Sequence, residues 1–171
     1  MTPAATATVS EIEVFRHQAG MIRSVVRVNV DGVTQEESLI QPSPGGNCLN
    51  WVVGHLACIY NKALPMVGQE QVMEEEALKR YDRGAPPVKE AAEALELRDL
   101  LAAFEKATER FDAGLAGLAP EVLDNKAPGS PSGNPNETVR SLLSTIVFHQ
   151  AYHAGQTGIL RRIAGKEGAI R

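Results

Sequence analysis

Cysteine, aromatic side chains and net charge are all scarce in this sequence. The 171 residues include two cysteines and 5% aromatic residues, and the formal net charge is −4. A secreted disulfide scaffold of this size carries more cysteines, so we expect a reducing, cytoplasmic location. Because binding to phosphates needs clustered lysine and arginine, the mild acidity argues against a nucleic-acid partner.

Long apolar runs are absent as well. No stretch reaches the ~18 consecutive apolar residues of a membrane-spanning helix. The first ten residues, MTPAATATVS, lack the basic and apolar regions of a signal peptide. We therefore expect no membrane association. Hydrophobic residues still make up 43% of the chain, which is too much for a disordered protein. The length predicts one domain covering residues 1–171.

Four segments carry apolar residues at helical spacing, and none alternates convincingly as a strand. They cover about residues 10–30, 47–64, 94–118 and 134–164. Ser10 and Glu13 predict a capping box at the start of the first helix. Asn47 is the predicted N-cap of the second. Asn134, a proline after it and Glu137 predict the start of the fourth helix, about 30 residues long.

The connection between the second and third predicted helices is long, covering residues 65–93. A connection of that length can span a bundle, so these two helices need not be antiparallel neighbours. The pattern predicts an all-α fold, a four-helix bundle of antiparallel type with one long crossover connection.

Two of the four histidines, His149 and His153, are four residues apart on the predicted fourth helix. Residues at this spacing lie one above the other with Cβ atoms ~5–6 Å apart, so both imidazoles can bind one cation. The alternative is two surface histidines, or a core histidine bonded to a neighbour. Gln150 follows His149, which excludes the H-E-x-x-H zinc motif, and no Glu-x-x-His pair supports a di-iron site.

His55 lies in a nearly all-apolar helix, where a buried imidazole needs a polar partner. Gly54 beside it allows a close approach of another segment, or serves plain packing. Facing helices of a bundle build metal sites in its interior. His55, His149 and His153 together predict a site for one divalent metal ion. Three imidazoles leave an open position for water or substrate, which is typical of a catalytic site.

Gln156 shares the helix face of His149 and His153. It is predicted to orient a water or substrate at the metal, or to form a structural bond to a neighbouring helix. For other candidates we expect structural roles: burial in the core for Trp51, Cys48 and Cys58, packing for Tyr152, a helix-terminal role for Asn50 and solvent exposure for His17.

The segments PSPGGNCLNWVVGHL and FHQAYHAGQTGILRRIAG, together with Tyr81-Asp82-Arg83-Gly84, resemble the DinB/YfiT-like family of metal-binding proteins. The resemblance implies a four-helix bundle with an unusual crossover and a homodimer. It also implies a divalent metal, zinc or nickel, held at the positions of His55, His149 and His153.

Members of that family include thiol S-transferases that use low-molecular-weight thiols, and a mycothiol-dependent isomerase. The resemblance therefore favours a metal-dependent transferase or hydrolase that acts on a small molecule through a thiolate or hydroxide nucleophile. The alternatives are a non-catalytic, stress-associated metal-binding protein and a helical interaction module whose histidines merely pack.

Overall fold

The computed structural model describes residues 10–170, and within that range the chain forms helices and no β-strand. One isolated antiparallel bridge joins Lys126 and Thr138. Nine of the ten residues considered for a signal peptide lie outside the described residues. None of the described helices combines the length and the apolar character needed to cross a membrane.

Four long helices account for the four periodic segments of the sequence. They are α1 (Glu11–Val30), α3 (Leu49–Ala63), α5 (Leu97–Ala116) and α6 (Val139–Ile163). Two single-turn helices, α2 (Gln35–Ser38) and α4 (Glu75–Leu78), lie in the connections. Short 3₁₀ helices cover Leu64–Val67, Lys79–Tyr81, Ala91–Glu93 and Pro120–Asp124. The predicted all-α class is confirmed.

The four long helices form a bundle in which α1 and α3 each pack against both α5 and α6. Helix α1 runs antiparallel to α5, because Arg16 near its start pairs with Asp112 near the end of α5. Helices α3 and α6 are also antiparallel, because Ile59 in the second half of α3 borders the same groove as Leu142, near the start of α6.

The other two pairs of neighbours run parallel. At the start of α3, Asn50 donates a hydrogen bond to the backbone oxygen of Leu95, just before α5. Beyond the end of α3, Val67 contacts Gly114 near the end of α5, so α3 and α5 are parallel. Helices α1 and α6 are also parallel, because Asn29 near the C-terminal end of α1 is hydrogen-bonded to Thr157 in the C-terminal part of α6. The parallel packing of α3 and α5 agrees with the long crossover connection expected from the sequence, because this connection returns the chain to the starting end of α3.

The predicted apolar stripe of α1 faces the core, and α3 is buried nearly all round. An aromatic cluster joins α3 to α5, with the ring centroid of Tyr60 5.9 Å from Phe104 and 5.1 Å from Phe111. The core therefore lies between all four long helices, and α3 is the element most enclosed by it.

The start of α6 differs from the prediction. Its N-cap is Thr138, whose hydroxyl accepts a hydrogen bond from the backbone N–H of Ser141, and the helix is 25 residues long. The residues before it pair with another segment instead: the backbone N–H of Ala127 donates to the oxygen of Glu137, at 2.9 Å. Extended pairing excludes helical geometry there, so Asn134 caps no helix. The N-cap of α3 is Cys48 rather than Asn47.

Candidate metal centre

The structure brings His55 of α3 together with His149 and His153 of α6. One ring nitrogen from each lies within 4.8 Å of the others. The Nε2 atoms of His55 and His149 are 3.2 Å apart, and the ring centroids of His149 and His153 are 4.5 Å apart. Three side chains from distant parts of the sequence thus converge on one point.

The seam between α3 and α6 is held beside this cluster by Gln150. This side chain is fully buried, and its amide nitrogen donates a hydrogen bond to the backbone oxygen of Leu56, at 3.0 Å. Both residues are next in sequence to a histidine of the cluster. The bond therefore sets the register of α6 against α3 at the height of the site.

His55 is fixed from two sides. Its Nδ1 lies 2.7 Å from the backbone oxygen of Tyr81, and the ring of Trp51 stacks on it at 4.7 Å between centroids. A carbonyl oxygen only accepts hydrogen bonds, so Nδ1 carries the proton. The Nε2 atom of His55 therefore directs a lone pair toward His149, as a metal ligand does.

Gly54 makes this contact possible. A Cβ atom built on Gly54 would lie 2.2 Å from Cδ1 of Tyr81, so only glycine lets the Tyr81 ring lie flat against α3. The Tyr81 hydroxyl donates to the Asn50 side chain at 3.0 Å and accepts from the backbone N–H of Leu95 at 2.8 Å. Of the two readings of Gly54, the close approach is the one the structure shows.

Sequence reasoning missed the role of Tyr81 and assigned only a helix-terminal role to Asn50. Asn50 is fully buried and ties α3 to the segment before α5. The glycine before His55 was the signal for a close neighbour, but its identity depends on the path of the long connection.

Gln156 lies against the cluster through His153. The Nδ1 atom of His153 is 2.7 Å from Oε1 of Gln156, one helical turn further along α6. The bond is within the helix, so the expected alternative of a bond to a neighbouring helix is wrong. Gln156 instead orients the His153 ring, and this leaves Nε2 for a ligand.

Tyr152 is 59% exposed, and its expected packing role is limited to one face of its ring. Its ring meets that of His153 edge-on, with the centroids 5.2 Å apart.

His149 is held differently from the other two histidines. Its Nδ1 atom is buried without a hydrogen-bond partner among the described residues. His149 is therefore oriented by packing alone.

Burial keeps the three imidazoles neutral. Loss of hydration lowers the pKa of His55, His149 and His153. The pKa of His149 falls furthest, to about 4, because of burial first and then the positive charge that His153 and His55 carry when protonated. At neutral pH all three rings are unprotonated, which is the form that binds a metal ion.

The cluster fits a divalent ion. Ligands at the usual nitrogen distance of ~2.0–2.1 Å and tetrahedral angles are about 3.3 Å apart, which matches the 3.2 Å between the Nε2 atoms of His55 and His149. Two bare lone pairs this close repel each other unless a proton or a cation lies between them. The three imidazoles can therefore hold a divalent metal ion.

Residues 20–157 match the family model of the DinB superfamily. The chain belongs to this superfamily. A solved structure described as the conserved protein of locus from Enterococcus faecalis is similar to it, with a TM-score of 0.72 over 93% of this chain and 100% of that chain. The two are 14% identical, so this likeness shows the fold alone. No curated protein matches the sequence.

The remaining candidates in this DinB-superfamily chain are not members of the three-histidine cluster. Cys48 and Cys58 are buried and free of disulfide bonds, as expected. Burial raises the pKa of the Cys58 thiol to about 11, so it is protonated at neutral pH. His17 is exposed, also as expected. Trp51 is buried, but it has the further role of stacking on His55.

Proposed function

We propose that this DinB-superfamily protein binds one divalent metal ion, zinc or nickel, through His55, His149 and His153. It then acts as a metal-dependent transferase or hydrolase on a small molecule. The observation that carries this proposal is the convergence of three neutral imidazole nitrogens within 4.8 Å. The resemblance to thiol S-transferases of the same superfamily supports the choice of reaction.

The number and exposure of the ligands favour catalysis over a structural role. Structural zinc sites usually have four protein ligands, whereas catalytic sites keep a position open. Among the described residues, no cysteine or carboxylate joins the three histidines. His149 and His153 are only half-buried, so small molecules can reach this side of the cluster.

The nucleophile comes from outside the chain. Cys48 and Cys58 are at most 1% exposed, so neither thiol reaches a substrate. A divalent ion at three imidazoles lowers the pKa of a thiol or water toward neutrality. Tyr81 and Gln156 hold His55 and His153 in the orientation that this requires. We propose that Gln156 also orients a water or substrate at the metal.

The decisive experiment compares His149→Ala with His17→Ala. Purified wild type and the His17 variant are expected to contain about one metal ion per chain, and the His149 variant well below that, by elemental analysis. Activity is then measured with a panel of low-molecular-weight thiols and electrophiles before and after chelation. Equal rates without metal would exclude the catalytic role and leave the non-catalytic alternative.

We also propose that the protein is a cytoplasmic homodimer. The two free, buried cysteines suit a reducing compartment. For the dimer, the support is a groove of about 640 Å³ between α1 and α6. It is bordered by Met21, which is 56% exposed, and by Phe148, which is 74% exposed. Exposed apolar side chains on adjoining helices are typical of an interface.

A further inference from the structure

A second feature lies next to the histidines: a cleft of about 350 Å³ lined by both His153 and Gln156. It runs between the loop of residues 42–47 and the C-terminal half of α6. Sites for small molecules usually measure ~300–1,000 Å³, so this cleft suits a small ligand or one part of it.

The lining of the cleft is uncharged and combines large apolar side chains with the polar groups of Asn47, His153 and Gln156. Tyr152, Ile159 and Ile163 border it with exposed fractions of 59%, 62% and 40%. None of its ten lining residues is charged. Large apolar side chains exposed together beside a polar cluster are typical of a binding surface.

The cleft adjoins the accessible side of the cluster. His55 is 2% exposed, whereas His149 and His153 on α6 are half-buried, so a ligand reaches the histidines from the side of α6. The edge-on contact of Tyr152 with His153 continues the wall of the cleft up to the cluster. A molecule whose reacting group lies at the histidines therefore has this cleft within reach.

We infer that the cleft binds an apolar, uncharged part of the substrate while its reacting group lies at the three histidines. The substrate class is thus a small molecule with a thiol or electrophilic group on an apolar body. This inference rests on the proposed function, because the reacting group is held only if the cluster binds a metal ion.

The test uses the cobalt-loaded protein and its visible absorption spectrum, which reports directly on the ligands of the ion. The probes are ethanethiol, propanethiol and butanethiol, with 3-mercaptopropionate as the charged probe. Affinity is expected to rise about threefold to fourfold per added methylene, the value for burial of that group. The charged probe is expected to bind about tenfold more weakly than butanethiol, because an unpaired charge is costly in an apolar site.

Ile163→Gln tests the location, and Ile40→Gln is the matched control, since Ile40 is 42% exposed and does not line the cleft. In the Ile163 variant, the affinity for alkanethiols is expected to lose most of its dependence on the length of the alkyl chain. The variant is expected to bind cobalt and 2-mercaptoethanol as wild type does. The control is expected to keep the dependence. Sedimentation velocity of both variants checks that the oligomeric state is unchanged.

The outcomes separate the two proposals. Absence of a cobalt spectrum would overturn the proposed function and the inference together. Cobalt binding with affinities independent of chain length, or with a dependence that Ile163→Gln leaves intact, contradicts the inference alone. So does a change of oligomeric state in the Ile163 variant, because the cleft wall would then be a subunit contact.

Discussion

Gly54 connects the packing of Tyr81 to the orientation of His55. In Gly54→Ala the new Cβ would collide with the Tyr81 ring, which must move away from α3 and take its backbone oxygen off Nδ1 of His55. Loss of such a partner of a metal ligand typically lowers metal affinity about 10- to 100-fold. We expect a loss of this size, measured by competition with a chromophoric chelator.

Gly20→Ala is the matched control for this substitution. Gly20 also lies within a helix, but nothing lies within 4 Å of a Cβ built on it. Alanine is favoured over glycine in a helix by up to ~1 kcal/mol, so this variant is expected to be as stable as wild type or more so. Unchanged metal affinity in Gly54→Ala would contradict the role assigned to Tyr81.

The buried histidines predict how the stability of the metal-free protein depends on pH. The pKa of His149 falls from 6.5 in the unfolded chain to about 4 in the folded protein. Between these values the unfolded chain binds more protons, so the free energy of unfolding decreases as the pH falls from 6.5 to about 4. Above pH 6.5 the His149 imidazole is unprotonated in both the folded and the unfolded protein. It therefore contributes no pH dependence to the free energy of unfolding in that range.

Urea denaturation across this pH range measures the effect. Subtracting the curve of His149→Gln from that of wild type removes the contribution of carboxylates, which the two proteins share. The difference is expected to grow on acidification, because only wild type carries the buried imidazole of His149. A flat difference curve is incompatible with a lowered pKa of His149.

The N-terminus of α6 depends on Thr138. Its hydroxyl accepts from the backbone N–H of Ser141, so Thr138→Ala is expected to destabilise the protein by ~1 kcal/mol, the usual value for loss of a cap. Thr145→Ala is the control. Thr145 is an exposed residue within the same helix, and its replacement should change stability by less than ~0.5 kcal/mol. Equal destabilisation in the two variants would rule out the capping role.

The starts of α1 and α6 show how well the sequence predicts where a helix begins. Ser10 and Glu13 form the predicted capping box through two hydrogen bonds within their own segment. Asn134 and Glu137 carry the same local signal, yet the backbone of Glu137 bonds Ala127 and its carboxylate accepts from Ser130 and Ser141. Local pattern predicts helices well where no distant segment offers alternative hydrogen bonds.

The same limit applies to the candidate site. Helical spacing brought His149 and His153 together in the prediction, and the buried environment of His55 indicated a polar partner. That the three meet follows from the antiparallel packing of α3 and α6. The backbone oxygen of Tyr81 could not be predicted, because a carbonyl leaves no mark on the sequence and its position depends on a connection of about thirty residues.

The proposed dimer concerns the whole molecule, and the groove between α1 and α6 is where it can be tested. Phe148→Glu is expected to give a monomer, because it places a charge on the most exposed apolar side chain of that groove. Ile170→Glu is the control, since Ile170 is 52% exposed and does not border the groove. Sedimentation velocity distinguishes the states, and a wild-type monomer at micromolar concentration would refute the proposed dimer.

The order of the chain through the bundle has a consequence for synthesis. His55 and His149 are 94 residues apart, and α6 is translated after the other three long helices of the bundle. Closing a loop of that length carries an entropic cost that only the packing of α6 offsets. A nascent chain that ends before α6 holds one of the three imidazoles and cannot trap an ion. A metal ion held by all three histidines would therefore require the completed bundle, with α6 packed against α3.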